Sequence, residues 1–385
     1  MTDTDTLTAD PVTLGVVGGG QLGRMLAEAA GPLGVEVLVL DPTPDCPAAA
    51  VARDQIVADF DDREGVRELA DRSDVVTVEI ELADPDLLAE VRAETGVPVH
   101  PDPESVRTTR DKLVEASTLA DAGVPVPPFR GVDTETDLRE AFDDLGAPLM
   151  LKARRGGYDG RGNEVVASVA DAESAFGDLS GLVAEELVDF ERELSVMGVR
   201  GAAGTDTYPV VENVHEAEIL RETVAPARTD ERVRERAASV ARDVLASLDG
   251  RGVFGIEMFE TSDGEVLVNE IAPRPHNSGH YTIEAATAGQ FEQHVRATLG
   301  MPLGRTTLRG DAAMVNILGG VEEASPVELT GVHDALARPG VHLHWYGKRE
   351  ARPLRKMGHL TATAADGVDD PLVAARDARD DLTFE

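Results

Sequence analysis

Residues 252–274 read GVFGIEMFETSDGEVLVNEIAPR, two apolar runs on either side of Ser262-Asp263-Gly264. Alternation along both runs and a glycine-bearing turn predict a β-hairpin. Glu257 and Glu270 lie on its two arms about equally far from the turn, so cross-strand pairing puts their carboxylates on one face. An exposed acidic hairpin is the competing reading, and the apolar run VFGIEMF around Glu257 argues against it. Two buried like charges destabilise each other; Mg²⁺ removes the conflict, because hard cations take carboxylate oxygens and bridge to substrate phosphates.

The flanks extend this theme. Immediately after the hairpin, Arg274, His276, Asn277, Ser278 and His280 crowd the start of a predicted helix with Ser278 as its N-cap. Capping needs one such residue, so an anion or polar substrate is expected there. Zinc is not, since no cysteine is near and no third ligand is evident. Upstream, APLMLKARRGGYDGRGNEVVA reads as strand, loop, strand. Gly156, Gly157, Gly160 and Gly162 stand beside Lys152, Arg154, Arg155 and Arg161, the composition of a flap over polyphosphate. Before it, SVRTTRDKLVEASTLADAG predicts one helix, ended by Gly123 and the proline cluster VPVPPF. DERVRERAASVARDVLASLDG predicts a long amphipathic helix ended by Gly250.

From residue 13 to about 100, strand and helix patterns alternate, predicting a small doubly wound parallel sheet. Its opening stretch, TLGVVGGGQLGRML, satisfies G-x-G-x-x-G at Gly18, Gly20 and Gly23, and the next strand, VEVLVLD, ends in Asp41. A dinucleotide fits this pattern, but so does any anion at a helix start, or a turn that merely packs tightly. Glu79 and Glu81 alternate at the end of the fourth strand, at the edge where such sheets bind ligands; a solvated edge strand is the alternative. Near the other end of the chain, Lys348, Arg352, Arg355, Lys356 and His359, beside the only tryptophan, Trp345, form the densest basic patch. It suits a phosphate-bearing small molecule, being too small for an extended nucleic-acid footprint.

The bulk numbers set limits. At 385 residues several compact units are expected. With 72 acidic and 36 basic residues the formal charge is −36, a field that repels nucleic acid and anionic membranes and suits high salt, where the Debye length falls to ~3 Å. Only four lysines occur, Lys112, Lys152, Lys348 and Lys356, leaving 32 of the 36 basic residues as arginine. Survivors in so thinned a population are candidates for tasks that need a compact point charge. A single cysteine, Cys46, rules out an internal disulfide and fits a reducing compartment. No signal-like start or apolar run of about 20 residues is present, so a soluble, cytoplasmic protein is expected.

The blocks GGGQLGRM, TVEIE, GGYDGRGN, NEIAPRPHNSGH and HLHWYGK…RPLRKMGHL, in this order, resemble the ATP-grasp superfamily and, within it, the N5-carboxyaminoimidazole ribonucleotide synthase family. The resemblance implies an α/β and α+β architecture: an N-terminal doubly wound pre-ATP-grasp domain (1–104), an ATP-grasp small lobe with a Gly-rich lid (105–187), a large lobe with the Mg²⁺/ATP site (188–300) and a small C-terminal domain (301–385). It implies that Lys112, Lys152, Asn269 and Glu270 serve ATP, with Gly157, Tyr158, Asp159, Gly160, Arg161, Gly162 and Asn163 as the lid. Glu185, Glu186, Leu187 and Val188 would border adenine, Glu193 would meet the ribose and His215 would join the nucleotide site. Glu257 and Glu270 would be the metal ligands. Gly20, Gln21, Leu22, Glu79, Glu81, Tyr158, Arg161, His276, Asn277, Ser278, Lys348, Arg355 and Lys356 would form the ribonucleotide site, with Asp159, Arg274 and Lys348 catalytic. The implied reaction joins bicarbonate to 5-aminoimidazole ribonucleotide at the expense of ATP, through carboxyphosphate, in purine biosynthesis. A homodimer and a separate mutase as the next enzyme are also implied. Two departures stand out: Lys112 replaces an arginine common in relatives, and Ala272 stands where wider ATP-grasp enzymes often carry a metal-binding Asn. A formate-dependent glycinamide ribonucleotide formyltransferase of the same fold and a non-catalytic nucleotide-binding regulator are the alternatives.

Overall fold

The computed structural model describes residues 10–156 and 162–385. Three sheets position everything that follows. The first is parallel, in the spatial order Asp54–Ile56, Glu36–Leu40, Thr13–Val17, Val75–Val78 and Val99–His100. Its central strands are buried throughout, as expected when helices cover both faces. The strand before Glu79 is therefore interior, which removes the solvated-edge reading.

A four-stranded antiparallel sheet follows, in the order Phe129–Val132, Leu182–Glu186, Leu149–Ala153 and Asn163–Val166. The third sheet has nine strands and contains the hairpin Gly252–Thr261 and Val266–Ala272 at one side. It runs without interruption past residue 300, because Ala312–Leu318 pairs with Ile219–Ala225 and is followed by Lys356–Thr363 and Val341–Trp345. The C-terminal segment thus extends the sheet of the preceding lobe.

One face of this sheet is apolar. Leu194, Val196, Ile256, Met258, Val268 and Ile271 pack against Val233, Ala237, Val240 and Val244 of the helix Glu231–Ser247. The opposite face carries Glu193, Ser195, Asn213, Glu257 and Glu270 in adjacent register. The N-terminal sheet is not separate from this body, since Leu14, Val16 and Leu26 share a core with Phe291, Val295, Leu299 and Tyr346. His294 bridges the same seam: one ring nitrogen accepts from Val253 N–H at 3.1 Å and the other lies 2.8 Å from Thr77 Oγ1.

Two expected helices differ. The single helix over 105–123 is two, Pro103–Arg110 and Lys112–Asp121, broken where Asp111 turns extended (φ −120°, ψ 106°) and caps the second. Ser278 caps no long helix: residues Asn277–Gly279 form one 3₁₀ turn, capped by His276, and a four-residue helix follows at Thr282–Ala285.

Candidate active site

The hairpin places Glu257 opposite Glu270, as expected, but by an irregular route. Met258 pairs with Val268 and Glu257 with Glu270, so Asn269 is an extra residue, a β-bulge. In an unbroken strand Glu270 would share the face of Val268, which is in the core. The bulge turns Glu270 to the polar face and lets adjacent residues serve one cleft. Lys112 Nζ donates to Glu270 Oε2 at 2.7 Å and Lys152 Nζ donates to Asn269 Oδ1 at 3.0 Å. Lys152, buried at the end of Leu149–Ala153, also pairs with Glu185 Oε2 at 2.7 Å. Glu270 keeps 42% of its side chain open to the cleft, so a ligand can reach it.

These contacts set the charges. The Lys112 ammonium holds the Glu270 carboxyl below its ordinary range, against the opposing effect of burial. Burial, then the Glu270 charge, push Glu257 upward. On the neighbouring strands Glu193 contacts His215 Nδ1. Burial opposes charge on His215, but the Glu193 bond and the Glu257 charge raise its pKa. Glu185 and Glu186 end the strand Leu182–Glu186, and Leu187 and Val188 cross directly to Phe190–Arg200, where the small sheet meets the large one. Gly162 precedes the strand Asn163–Val166, whose first residue Asn163 is paired in register with Lys152. Gly157, Tyr158, Asp159, Gly160 and Arg161 lie outside the described residues.

A second cluster forms where three distant segments converge. Glu79, buried just past the strand Val75–Val78, accepts from Gly20 N–H at 2.6 Å, and Asp41 accepts from Gly19 N–H at 2.9 Å. The protein's own carboxylates thus fill the glycine turn, which disposes of a dinucleotide pyrophosphate there. Burial raises Glu79 to about 7 despite the Gly20 bond and Arg274. Glu81 pairs with Arg274, whose pKa burial lowers to about 10. Lys348 Nζ donates to Gln21 Oε1 at 2.9 Å and to the Lys356 carbonyl at 2.5 Å. Gly20, Gln21, Glu79, Glu81, Arg274 and Lys348 therefore meet as expected. Leu22 follows Gln21 directly, with its side chain buried in the N-terminal core.

Between the clusters, His276 Nδ1 bonds Ser278 Oγ at 2.9 Å, and Ser195 Oγ donates to Ser278 Oγ at 2.9 Å. Burial and Arg274 lower His276 to about 3, so it is neutral and 3.8 Å from Glu257. Asn277 Oδ1 accepts from Asn316 at 3.0 Å. Arg355 Nη1 donates to the Glu350 carbonyl at 2.9 Å, and Lys356 starts the strand Lys356–Thr363. His359 does not belong to the basic patch: it is fully buried, stacked on His344 at 4.6 Å and bonded to Tyr346 Oη at 2.9 Å. Its strand lies between two others in the nine-stranded sheet and is buried on both faces beyond Lys356, and Arg352 pairs instead with Glu350 at the surface. Sequence reasoning missed Ser195, whose apolar neighbours Leu194 and Val196 hid it, and Asp111, whose signal was an aspartate within a helical pattern.

Known proteins match this chain throughout. Residues 12–110 match the ribonucleotide synthetase preATP-grasp domain, 117–291 the ATP-grasp domain and 312–369 the phosphoribosylaminoimidazole carboxylase C-terminal domain. The chain is 43% identical over 356 residues to N5-carboxyaminoimidazole ribonucleotide synthase of Pseudomonas aeruginosa, covering 92% of this chain and 95% of that one. The crystal structure of N5-carboxyaminoimidazole ribonucleotide synthetase from Thermotoga maritima is similar with a TM-score of 0.87 and 43% identity, over 97% of this chain and 99% of that one. An Aspergillus clavatus N5-carboxyaminoimidazole synthase, in complex with ADP and 5-aminoimidazole ribonucleotide, has a TM-score of 0.87 at 37% identity, over 96% and 99% of the two chains.

Proposed function

The chain belongs to the N5-carboxyaminoimidazole ribonucleotide synthase family of ATP-grasp ligases, and we propose that its two clusters divide the ATP-dependent carboxylation of 5-aminoimidazole ribonucleotide between a nucleotide end and a ribonucleotide end. The observation that carries this reading is the bulge. It aims Asn269 and Glu270 at Lys152 and Lys112 together, giving two point charges on one side of a cleft whose floor is acidic.

At the nucleotide end, Lys112 and Lys152 bind ATP phosphates, Glu185, Glu186, Leu187 and Val188 border adenine, and Glu193 with His215 takes the ribose side. The donor set also fits a divalent cation. Glu257 and Glu270 oppose each other, and burial, then the Glu270 charge, pushes Glu257 towards protonation despite His215 and Lys356. Two carboxylates leave room for the phosphate and water oxygens that Mg²⁺ keeps. When bound, Mg²⁺ offsets charge on the transferring phosphoryl group.

At the ribonucleotide end, Arg274 holds the bicarbonate anion and, with Lys348, the anionic substrate nearby. Bicarbonate is a poor electrophile, so phosphorylation to carboxyphosphate activates it for attack by the substrate amine, and a closed, dry site protects that labile species. Neutral His276, held by Ser278, keeps a ring nitrogen at this junction without adding charge. Asp159 steers the amine, and Tyr158 and Arg161 join the same site. We also infer a cytoplasmic homodimer adapted to high salt, feeding its product to a separate mutase; no helix is long and apolar enough to cross a membrane among the described residues.

Phosphate release by the purified protein in molar KCl tests the reaction. Release should require ATP, 5-aminoimidazole ribonucleotide and bicarbonate together. Release only with formate and glycinamide ribonucleotide would establish a formyltransferase instead, and no release with either set would leave a nucleotide-binding regulator.

A further inference from the structure

Asp111 breaks a helix, and the break has a use. Its side chain, 3% exposed, caps the helix Lys112–Asp121 by accepting from Leu113 N–H at 3.2 Å and Val114 N–H at 3.4 Å. The same carboxylate takes both arms of Arg154, Nε on Oδ1 and Nη2 on Oδ2, each at 2.9 Å, and Arg155 Nε at 3.1 Å. A backbone bond runs alongside, from Lys112 N–H to the Arg154 carbonyl at 3.0 Å. A cap alone needs one oxygen, which Ser or Asn supplies as well. The guanidinium fork needs two oxygens and a charge.

The places tied together are telling. Lys112 follows Asp111 directly, and Lys152 precedes Arg154 by two residues at the end of the strand Leu149–Ala153. One buried carboxylate therefore fixes the chain beside each of two lysines that come from different elements, and their ammonium groups reach successive residues of the bulge. We propose that Asp111, clamped by Arg154, is a positioning residue for the nucleotide: it sets the separation of Lys112 and Lys152, and hence their grip on a polyphosphate. This rests on the reading of the two lysines as phosphate ligands.

Asp111→Asn keeps an oxygen for the cap and removes the fork; Arg154→Gln removes the other half. ADP affinity by calorimetry, KM for ATP, KM for 5-aminoimidazole ribonucleotide and the thermal midpoint are measured on both and on the double variant. Each single change should weaken ADP binding and raise the KM for ATP about tenfold, with the ribonucleotide KM within about twofold, and the double variant should be no worse than either single. A lower midpoint with unchanged ADP affinity, or equal rises in both KM values, overturns the proposal by making Asp111 merely structural. Should the wild type bind ADP yet turn over no aminoimidazole ribonucleotide, the assigned reaction falls, while the ADP comparison still decides the role of Asp111.

Discussion

Glu257 and Glu270 face each other across a hairpin, and the Lys112 ammonium lies 2.7 Å from Glu270. Removing Glu270 takes away a candidate metal ligand and strands that lysine. Glu270→Ala should lower kcat by about a hundredfold or more and, by leaving Lys112 without its partner, lower the thermal midpoint by about a few degrees while the fold is kept; full activity would refute the metal role. His294 makes a different prediction. Burial, then His100, lowers its pKa from 6.5 to about 3, and the neutral ring accepts from Val253 N–H while its other nitrogen meets Thr77. The unfolded chain takes up a proton below about pH 6.5 and the folded one does not until about pH 3. The stability due to neutral His294 is therefore present above pH 6.5 and is lost as pH falls through that window, by up to about 1.4 kcal/mol per pH unit. Urea midpoints of wild type and His294→Gln should converge between pH 6.5 and 4; a gap that stays constant contradicts the assignment.

At the scale of elements, the glycine turn before the helix Gln21–Ala30 shows how backbone geometry aims a side chain. Gly18 has φ +108°, and a Cβ there would come within 2.6 Å of Glu79 Oε1. Gly18→Ala should cost about 1–3 kcal/mol in stability. By displacing Glu79 it should raise the KM for the ribonucleotide, while ADP affinity stays at the wild-type value; a loss of ADP affinity alone would place this turn at the wrong end of the site. The parallel sheet, the hairpin and the pairing of Glu257 with Glu270 were legible from alternation and turn residues. Three features were not. The bulge at Asn269 leaves no compositional mark: a regular register continued from Met258 opposite Val268 would pair Glu257 with Asn269, so the rough count of the two arms found the Glu257–Glu270 pair without the extra residue that produces it. The break at Asp111 was masked by helix formers on both sides, although aspartate is a good N-cap. The burial of His359 depended on the Lys356–Thr363 strand lying inside the nine-stranded sheet, a fact of tertiary pairing that a local basic cluster conceals.

For the whole molecule, a charge of −36 over 385 residues opposes compaction unless salt screens it. Surface pairs such as Arg63 with Glu90 and Glu94, at 2.7 and 2.6 Å, lose strength in salt, but such exposed pairs contribute little, and acids outnumber bases two to one. Repulsion therefore outweighs the lost attraction. The thermal midpoint should climb by several degrees between about 0.1 and 2 M KCl, as the Debye length falls from about 10 Å towards 3 Å; a flat or falling midpoint removes the case for adaptation to high salt.

The apolar seam joining Leu14, Val16 and Leu26 to Phe291, Val295, Leu299 and Tyr346 bears on how the chain can be cut. A fragment stopping near residue 110 would leave a greasy flank bare to water, so it should clump rather than stand alone. Evolution can trade loops at the rim of such a protein, but it cannot lend the first hundred residues to another host without supplying a substitute for that missing lining.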